Sequence, residues 1–280
     1  MSVSQQFILP DTLQSWPWQR KLNPNYKKVK AESSAWIESF HAFTPKAQDA
    51  FNRCEFKHLR TCCDFINLTF VYDEYSDACN AQEARRLANI LAKKPSSVDS
   101  AQNLFIETFN DYTTSIVEQA VDRAAHHIND IETYLRVRRN SLGLRPCLVL
   151  LHLYSELPEE FLSNPLIEYI TTLTIDMVAI GNDICSYNIE QARGDGHNMI
   201  TTVMNSMCFN LDEALLWISD LHDSLGESFQ ETYRAICQEL PVSETSAAAV
   251  SYLEGLGNWV RANDCWSYES EWYFGQKVAC

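Results

Sequence analysis

Residues 165–192 carry a long helical pattern that limits the folds open to this chain. After Pro165 the segment contains no further proline, and it runs from the apolar stretch IEYITTLTIDMVAIG into NDICSYNIEQA. Its apolar residues recur at helical spacing and do not alternate strictly, which predicts one continuous α-helix. The following GDGHN is a helix stop signal. A helix of this length must pack against others of similar length, so the segment favours a helical bundle.

The rest of the chain has the same character. Only 8 Gly and 9 Pro occur among its 280 residues, which favours long helices over many short strands. RRNSLGLRP is predicted to be a turn, and residues 1–25 an irregular, Pro- and Trp-rich strap. We expect an all-α protein of about ten helices in a single domain, residues 1–280. Further helices are predicted over 45–77, 81–94, 100–134 with a break near His126, 210–239, and from PVSETS to about Trp259.

Composition excludes several classes of protein. Hydrophobic residues make up 46% of the chain, which is typical of a globular protein. The net charge of −15 argues against nucleic-acid binding and against attachment to anionic membranes. The N-terminus lacks the basic segment and apolar core of a signal peptide, and no apolar stretch is long enough for a membrane span, so we expect a cytoplasmic protein. The 10 cysteines are then expected to be small buried hydrophobic residues.

The motif DEYSD places Asp73 and Asp77 four residues apart, on one face of a predicted helix. The same stripe is apolar further back, at Leu59, Ile66 and Phe70. Like charges at this spacing repel, and acidic residues at a helix C-terminus oppose the helix dipole. A bound cation would relieve both costs. Mg²⁺ prefers such oxygen ligands, although many solvated surface helices also contain an acidic pair.

A second set of oxygen-bearing side chains, Asn182, Ser186 and Glu190, follows four-residue steps along the helix predicted over 165–192. An earlier position on the same stripe, Val178, is apolar. An amide, a hydroxyl and a carboxylate in this arrangement can chelate one Mg²⁺. Alone, the pattern fits a solvated helix end equally well. If the two predicted helices face each other, both patches flank the mouth of one apolar cavity.

Taken in order, these motifs resemble the class I terpene synthases, in particular the fungal sesquiterpene synthases. The resemblance spans nearly the whole chain and is carried by LPDTLQSWPWQRKLNPNY, FINLTFVYDEYSD, RRNSLG, NDICSYNIEQARGDGHNMI and NWVRANDCWSYESEWYF. It implies a class I terpenoid synthase-like helical bundle around a central apolar cavity. It also implies three Mg²⁺ ions between the two motifs. The implied ligands of these ions are Asp73, Asn182, Ser186 and Glu190, with Asp77 and Glu74 in support.

The resemblance further implies contacts to the diphosphate group of an isoprenyl diphosphate substrate. Arg139, four residues before Gly143, is the best match to the family's diphosphate-sensing arginine, with Arg138 as the near alternative. Arg193 matches a second contact, since guanidinium groups donate a fixed fork of hydrogen bonds to phosphate. Tyr273 matches a third contact and can donate a hydrogen bond.

The chain departs from the family pattern at Trp272, which stands where an arginine normally precedes Tyr273. Loss of that charge is expected to weaken diphosphate binding. Phe70 lies three residues before Asp73, so it is expected to point into the cavity, where an aromatic face can stabilise a carbocation.

The resemblance predicts a Mg²⁺-dependent sesquiterpene synthase, a carbon–oxygen lyase that cyclises farnesyl diphosphate to a hydrocarbon or alcohol and releases diphosphate. Two alternatives stay open from the sequence. An isoprenyl-diphosphate synthase would have a second aspartate-rich motif, where this chain has Asn, Ser and Glu. A non-catalytic protein could retain the fold, and Trp272 favours that reading. The protein is expected to be a monomer or a homodimer.

Overall fold

The computed structural model describes residues 7–21, 24–41, 60–77, 79–91, 100–151, 157–241, 243–270 and 272–274. Within these ranges the regular elements are eleven α-helices and no strand, so the all-α prediction is confirmed. No described helix combines the length and the apolar character needed to cross a membrane. In chain order the helices are α1 Tyr26–Glu38, α2 Arg60–Asp77, α3 Ala81–Leu91, α4 Ser100–Ala125, α5 Ile131–Ser141, α6 Leu144–Val149, α7 Glu159–Leu162, α8 Pro165–Arg193, α9 Met199–Met207, α10 Leu211–Glu239 and α11 Glu244–Glu269.

The long helix α8 begins and ends where its sequence signals predict. The Asn164 side chain accepts a hydrogen bond from the Leu166 amide at 2.9 Å, and Pro165 occupies the first turn. Gly194 ends the helix in the left-handed conformation, with φ +76°, which glycine adopts without steric cost. The prediction of one continuous helix is confirmed, and α8 extends one residue further than expected.

Other boundaries confirm or correct the predictions. The break expected near His126 is present, because this residue has a left-handed backbone (φ +49°) and Asp130 then caps the start of α5. Helix α11 continues well beyond its predicted end at Trp259. Residues 45–59 and 92–94, which belong to two other predicted helices, lie outside the described residues.

The segment RRNSLGLRP contains the predicted turn, but the turn is shorter than expected because most of the segment is helical. Its first four residues complete α5, and α6 follows after a break at Leu142 and Gly143. Gly143 has φ +70°, and a Cβ atom here would lie 3.1 Å from the Tyr112 ring. The predicted turn was too long because Pro146 lies in the first turn of α6, where no amide hydrogen bond is lost.

Helix α8 lies at the centre of the bundle. Helices α10 and α11 pack along it, and α5 and α9 pack against its C-terminal half. Its apolar side chains, such as Ile170, Ile175 and Ile180, are at most 1% exposed. Burial of a side chain of this size contributes about 1.5–3 kcal/mol to stability. The buried body of α8 therefore holds its polar C-terminal end in a defined place.

Residues 7–21 form an irregular segment that packs on α10 and α11. Trp16 and Trp18 are buried, and their ring centroids lie 4.9 and 5.2 Å from that of Phe229. Arg261 of α11 donates hydrogen bonds to the backbone carbonyls of Leu13 at 3.0 Å and Trp18 at 2.9 Å. These contacts hold the segment without any regular structure of its own.

Candidate active site

The C-terminal ends of α2 and α8 meet at the mouth of a cavity of about 730 Å³. Each helix presents polar side chains here because its apolar stripe ends one turn earlier. The structure thus brings together two motifs that lie far apart in the sequence. All five residues predicted as metal ligands line this cavity: Asp73, Asp77, Asn182, Ser186 and Glu190.

Asn182 is held on both sides of its amide. Its Oδ1 accepts a hydrogen bond from Arg138 at 2.6 Å, and its Nδ2 donates to the Tyr273 hydroxyl at 2.6 Å. Burial raises the pKa of the Tyr273 phenol, so the hydroxyl keeps a proton to donate. These contacts orient the amide and tether residues 272–274 to α8.

The neighbouring Asp183 is the centre of a buried network that the sequence did not reveal. It is fully buried, and its carboxylate accepts hydrogen bonds from Arg138 at 2.7 Å, from the Met199 amide at 3.0 Å and from the Tyr134 hydroxyl. Burial disfavours the charge on Arg138, but Asp183, Tyr134 and Glu190 together outweigh burial and raise the pKa of the guanidinium. The sequence shows only that an acidic residue follows Asn182. It does not show which side chains that residue contacts.

Ser186 and Glu190 complete the α8 side of the mouth. Glu190 accepts a hydrogen bond at Oε2 from the Nδ2 of Asn198 at 2.8 Å, and Ser186 lies one turn earlier and is buried. Burial and then the charge of Asp183 raise the pKa of Glu190 to about 7, while Arg138 opposes the shift. Burial and the charge of Asp183 thus both disfavour the ionised Glu190 carboxylate, and a bound cation would favour it.

The α2 side is held more loosely. Asp73 is accessible to water through the open cavity, yet the surrounding protein, followed by the charge of Asp77, raises its pKa to about 7. Asp77 accepts a hydrogen bond from Arg123 of α4 at 3.0 Å, and the same guanidinium lies 3.5 Å from Asp195. Arg123 thus bridges the end of α2 and the loop after α8.

Three arginines line the cavity among the described residues: Arg123, Arg138 and Arg193. The sequence did not point to Arg123. Arg139, the first choice for the diphosphate sensor, does not line the cavity, because it makes two hydrogen bonds to Asp176 at 2.7 and 2.8 Å. Successive helix residues point about 100° apart, and in this structure Arg138 points to the cavity while Arg139 points to Asp176. Arg138, the near alternative, is the one at the cavity wall.

A second, mostly apolar chamber of about 440 Å³ adjoins the polar mouth. Phe70, Asn182 and Tyr273 border both spaces. The Phe70 ring packs edge-on against Trp266 and Trp272, with centroids 5.7 and 5.3 Å apart. The ring of Trp272 therefore supplies an aromatic contact and no charge at the position where the resemblance implies an arginine.

The donor set at the mouth fits hard divalent cations. Burial, and then the nearby carboxylates of Asp77 and Asp183, raise the pKa of Asp73 and of Glu190 to about 7, so a bound cation would stabilise the charged form of both. In the described ranges, no three His, Cys, Asp or Glu side chains are grouped closely enough to hold a metal ion. Oxygens of Asn182, Ser186 and a bound phosphate would complete the coordination, which is the usual mode for Mg²⁺. The residues present thus suit ions that bind together with a phosphate-bearing ligand.

Comparison with known sequences agrees with this chemistry. Residues 87–227 match the sequence model for terpene synthase family 2, C-terminal metal binding. A delta(6)-protoilludene synthase of Stereum hirsutum (strain FP-91666) is 43% identical, and the match covers 96% of this chain and 84% of that protein. A delta(6)-protoilludene synthase of Armillaria gallica is 41% identical, with 98% and 91% covered.

Solved structures share the fold. Hedycaryol synthase in complex with HEPES has a TM-score of 0.79 at 19% identity, over 95% of this chain and 100% of that one. The linalool/nerolidol synthase of Streptomyces clavuligerus has a TM-score of 0.76 at 18% identity, over 90% and 99%. These likenesses confirm the predicted class I terpenoid synthase-like bundle. Together with the sequence relatives, they lead to one conclusion: the chain belongs to the terpene synthase family and is an enzyme, a lyase, as its motifs predicted.

Proposed function

We propose that this protein is a Mg²⁺-dependent sesquiterpene synthase that ionises and cyclises farnesyl diphosphate and releases diphosphate. The observation that carries the proposal is a polar mouth of carboxylates and arginines beside an apolar, aromatic chamber. An isoprenyl diphosphate has the two matching halves, a dense anion and a hydrocarbon chain. The chamber volume of about 440 Å³ also lies within the range of roughly 300–1,000 Å³ that is common for small-molecule sites.

The side chains of the mouth recognise the diphosphate. Arg123, Arg138 and Arg193 offer guanidinium forks, and Tyr273 offers a neutral hydroxyl. When the allylic C–O bond breaks, its electron pair leaves on a diphosphate oxygen. These donors stabilise the negative charge that develops there.

The metal ligands in this proposal lie on both walls of the mouth. The ligands would be Asp73, Asn182, Ser186 and Glu190, with Asp77 in support. Three bound Mg²⁺ ions would supply Lewis-acid neutralisation of the leaving diphosphate.

The chamber receives the carbocation and excludes water from it. Phe70 and Trp266 present aromatic surface there, and each cation–π contact contributes about 0.5–2 kcal/mol. The apolar wall also holds the C15 chain in a folded shape, which brings its double bonds near the cationic carbon. The reaction ends when the final cation loses a proton or captures a water molecule.

The relatives point to the product that should be sought first. Both fungal relatives are named as delta(6)-protoilludene synthases, so we propose that this cyclic sesquiterpene is the product. An isoprenyl-diphosphate synthase is less well supported, since α8 carries Asn182, Ser186 and Glu190 in place of a second aspartate-rich motif. Membership of a family of synthases speaks against a non-catalytic protein.

The test is incubation of the purified protein with farnesyl diphosphate, with and without Mg²⁺, followed by gas chromatography–mass spectrometry of the extract. We expect a cyclic C15 product only when Mg²⁺ is present. A folded protein that gives no product from farnesyl, geranyl or geranylgeranyl diphosphate would refute the proposal. A C10 or C20 product would refute the choice of farnesyl diphosphate while keeping the reaction class.

A further inference from the structure

We propose that Asn198 positions the metal-binding side chains of α8, an inference that rests on the proposed function. Asn198 is fully buried and lies directly before α9. The left-handed backbone of Gly194 ends α8 and turns the chain, so that Asn198 returns to the side of that helix. It borders neither the polar mouth nor the apolar chamber. Asn198 therefore acts through its neighbours and does not touch a ligand itself.

The start of α9 determines which way the Asn198 amide points. The backbone amide of Ile200 donates to its Oδ1 at 2.9 Å, which is an N-cap contact. Because an N–H group needs an acceptor, this side of the amide must be oxygen and the opposite side must be the NH₂ group. The NH₂ group, with two protons to donate, faces α8.

On α8 this NH₂ group meets more acceptors than capping requires. It lies 2.8 Å from Oε2 of Glu190, 2.8 Å from the carbonyl oxygen of Asp183 and 3.5 Å from Oγ of Ser186. The contact engages one of the two carboxylate oxygens of Glu190, and it is charge-assisted when Glu190 is ionised. One rigid, buried donor thus restrains Glu190 and lies beside Ser186. These two residues are two of the three proposed metal ligands on α8.

Restraint of this kind strengthens metal binding for a simple reason. A long glutamate side chain loses rotamer freedom when it becomes a ligand, and a side chain that is already fixed loses less. Partners that orient metal ligands typically contribute about 10- to 100-fold to metal affinity. Asn198 is therefore expected to matter for metal affinity and not only for the start of α9.

Two substitutions separate positioning from capping. Asn198→Asp keeps the size and the cap oxygen but places an acceptor in front of Glu190. Asn198→Ser keeps a good N-cap group but is too short to reach Glu190. Asn164→Asp is the matched control, because Asn164 caps α8 through the same contact, from the Leu166 amide at 2.9 Å, on the exposed surface.

The measurement is binding of Mn²⁺ in the presence of inorganic diphosphate, followed by the electron paramagnetic resonance signal of free Mn²⁺. We expect both Asn198 variants to bind Mn²⁺ about tenfold more weakly or worse, while Asn164→Asp binds like the wild type. Wild-type affinity in either Asn198 variant would overturn the proposal, whatever its melting temperature. A wild-type protein that binds no Mn²⁺ would instead refute the metal site of the proposed function.

A double-mutant cycle with Glu190→Gln tests the route of the effect. If Asn198 acts through Glu190, Asn198→Ser should have little further effect on Mn²⁺ affinity once Glu190→Gln is present. Equal losses in both backgrounds would show that Asn198 acts by another route, and the proposal would fall. If Asn198→Asp folds poorly, Asn198→Ser can be used alone for the Mn²⁺ affinity and for the double-mutant cycle.

Discussion

The two walls of the cavity mouth are built in different ways. On α8, Asn182 is held between Arg138 and Tyr273, and Glu190 is held by Asn198. On α2, no hydrogen bond reaches the Asp73 carboxylate from the part of the chain that the structure describes, and Asp77 meets the half-buried Arg123. The α8 wall is thus ordered by the fold before any ligand binds, whereas the α2 wall is expected to take its final geometry from the ligand.

Alanine at either wall gives the sharpest test of this contrast. We expect Asp73→Ala and Asn182→Ala each to lower turnover by about 100- to 1,000-fold, the scale of one lost electrostatic contact at a reacting group. Only Asn182→Ala should lower the melting temperature without metal, because it releases Arg138 and Tyr273. Asp73→Ala removes a carboxylate that Asp77 repels, so this variant should melt at or above the wild-type temperature. Near-normal turnover in either variant would show that the proposed ligands are wrong.

A second pair of variants compares buried and exposed ion pairs. Asp183→Asn should lower the free energy of unfolding by about 3–5 kcal/mol, because it leaves the buried Arg138 without its counter-charge. Asp77→Asn breaks a more exposed pair with Arg123 and should cost less than about 1 kcal/mol. Urea unfolding without metal measures both values. If the two variants lost similar unfolding free energies, the proposed difference in rigidity between the α8 and α2 walls would be wrong.

A buried histidine that packs against α8 makes the stability of the protein depend on pH. His222 of α10 lies 3.3 Å from the Met177 carbonyl of α8, and burial lowers its pKa from 6.5 to about 4. As the pH falls through this range, the unfolded chain takes up the proton first. The contribution of His222 to stability is therefore complete above about pH 6.5 and falls by up to about 3 kcal/mol towards pH 4.

Urea unfolding of the wild type and His222→Gln at about pH 7.5, 6 and 5 checks this expectation. The variant should lose less stability on acidification than the wild type. The difference at the highest pH reports the lost contact alone, because neither protein is protonated at this site there. If both proteins lost the same unfolding free energy between pH 7.5 and 5, His222 would not be the source of the pH dependence.

The smallest effect is expected at Trp272, which lies between the two walls. Trp272→Arg adds a charge-assisted contact to diphosphate, worth about 1.5–3 kcal/mol, but loses the ring contact with Phe70, worth about 0.5–1.5 kcal/mol. We expect the KM for farnesyl diphosphate to fall several-fold. Trp272→Phe is the control, since it keeps an aromatic ring without a charge. An unchanged or higher KM in the arginine variant would count against a diphosphate contact at this position.

Much of the site was predictable because local rules govern helices. The apolar period and the GDGHN stop signal predict α8, and four-residue spacing predicts which of its side chains share a stripe. The same rules were less accurate at RRNSLGLRP, which was predicted to be a turn throughout, although Pro146 lies in the first turn of α6.

The partners of the site residues were not predictable in this way. Arg138 and Arg139 are adjacent and chemically identical, so only the rotation of α5 against α8 decides that Arg138 meets the cavity and Arg139 meets Asp176. The reach of Asn198 back to Glu190 depends on the path of the loop between α8 and α9.

The sequence by itself determined the helices and the polar stripes on α2 and α8, because each depends on spacing within one segment. The order of the motifs along the chain indicated the family. The tertiary structure decided which charges face each other, which carboxylate is buried and which wall is rigid. Those properties depend on contacts between segments far apart in the chain, where a rotation of one residue about a helix axis exchanges one partner for another.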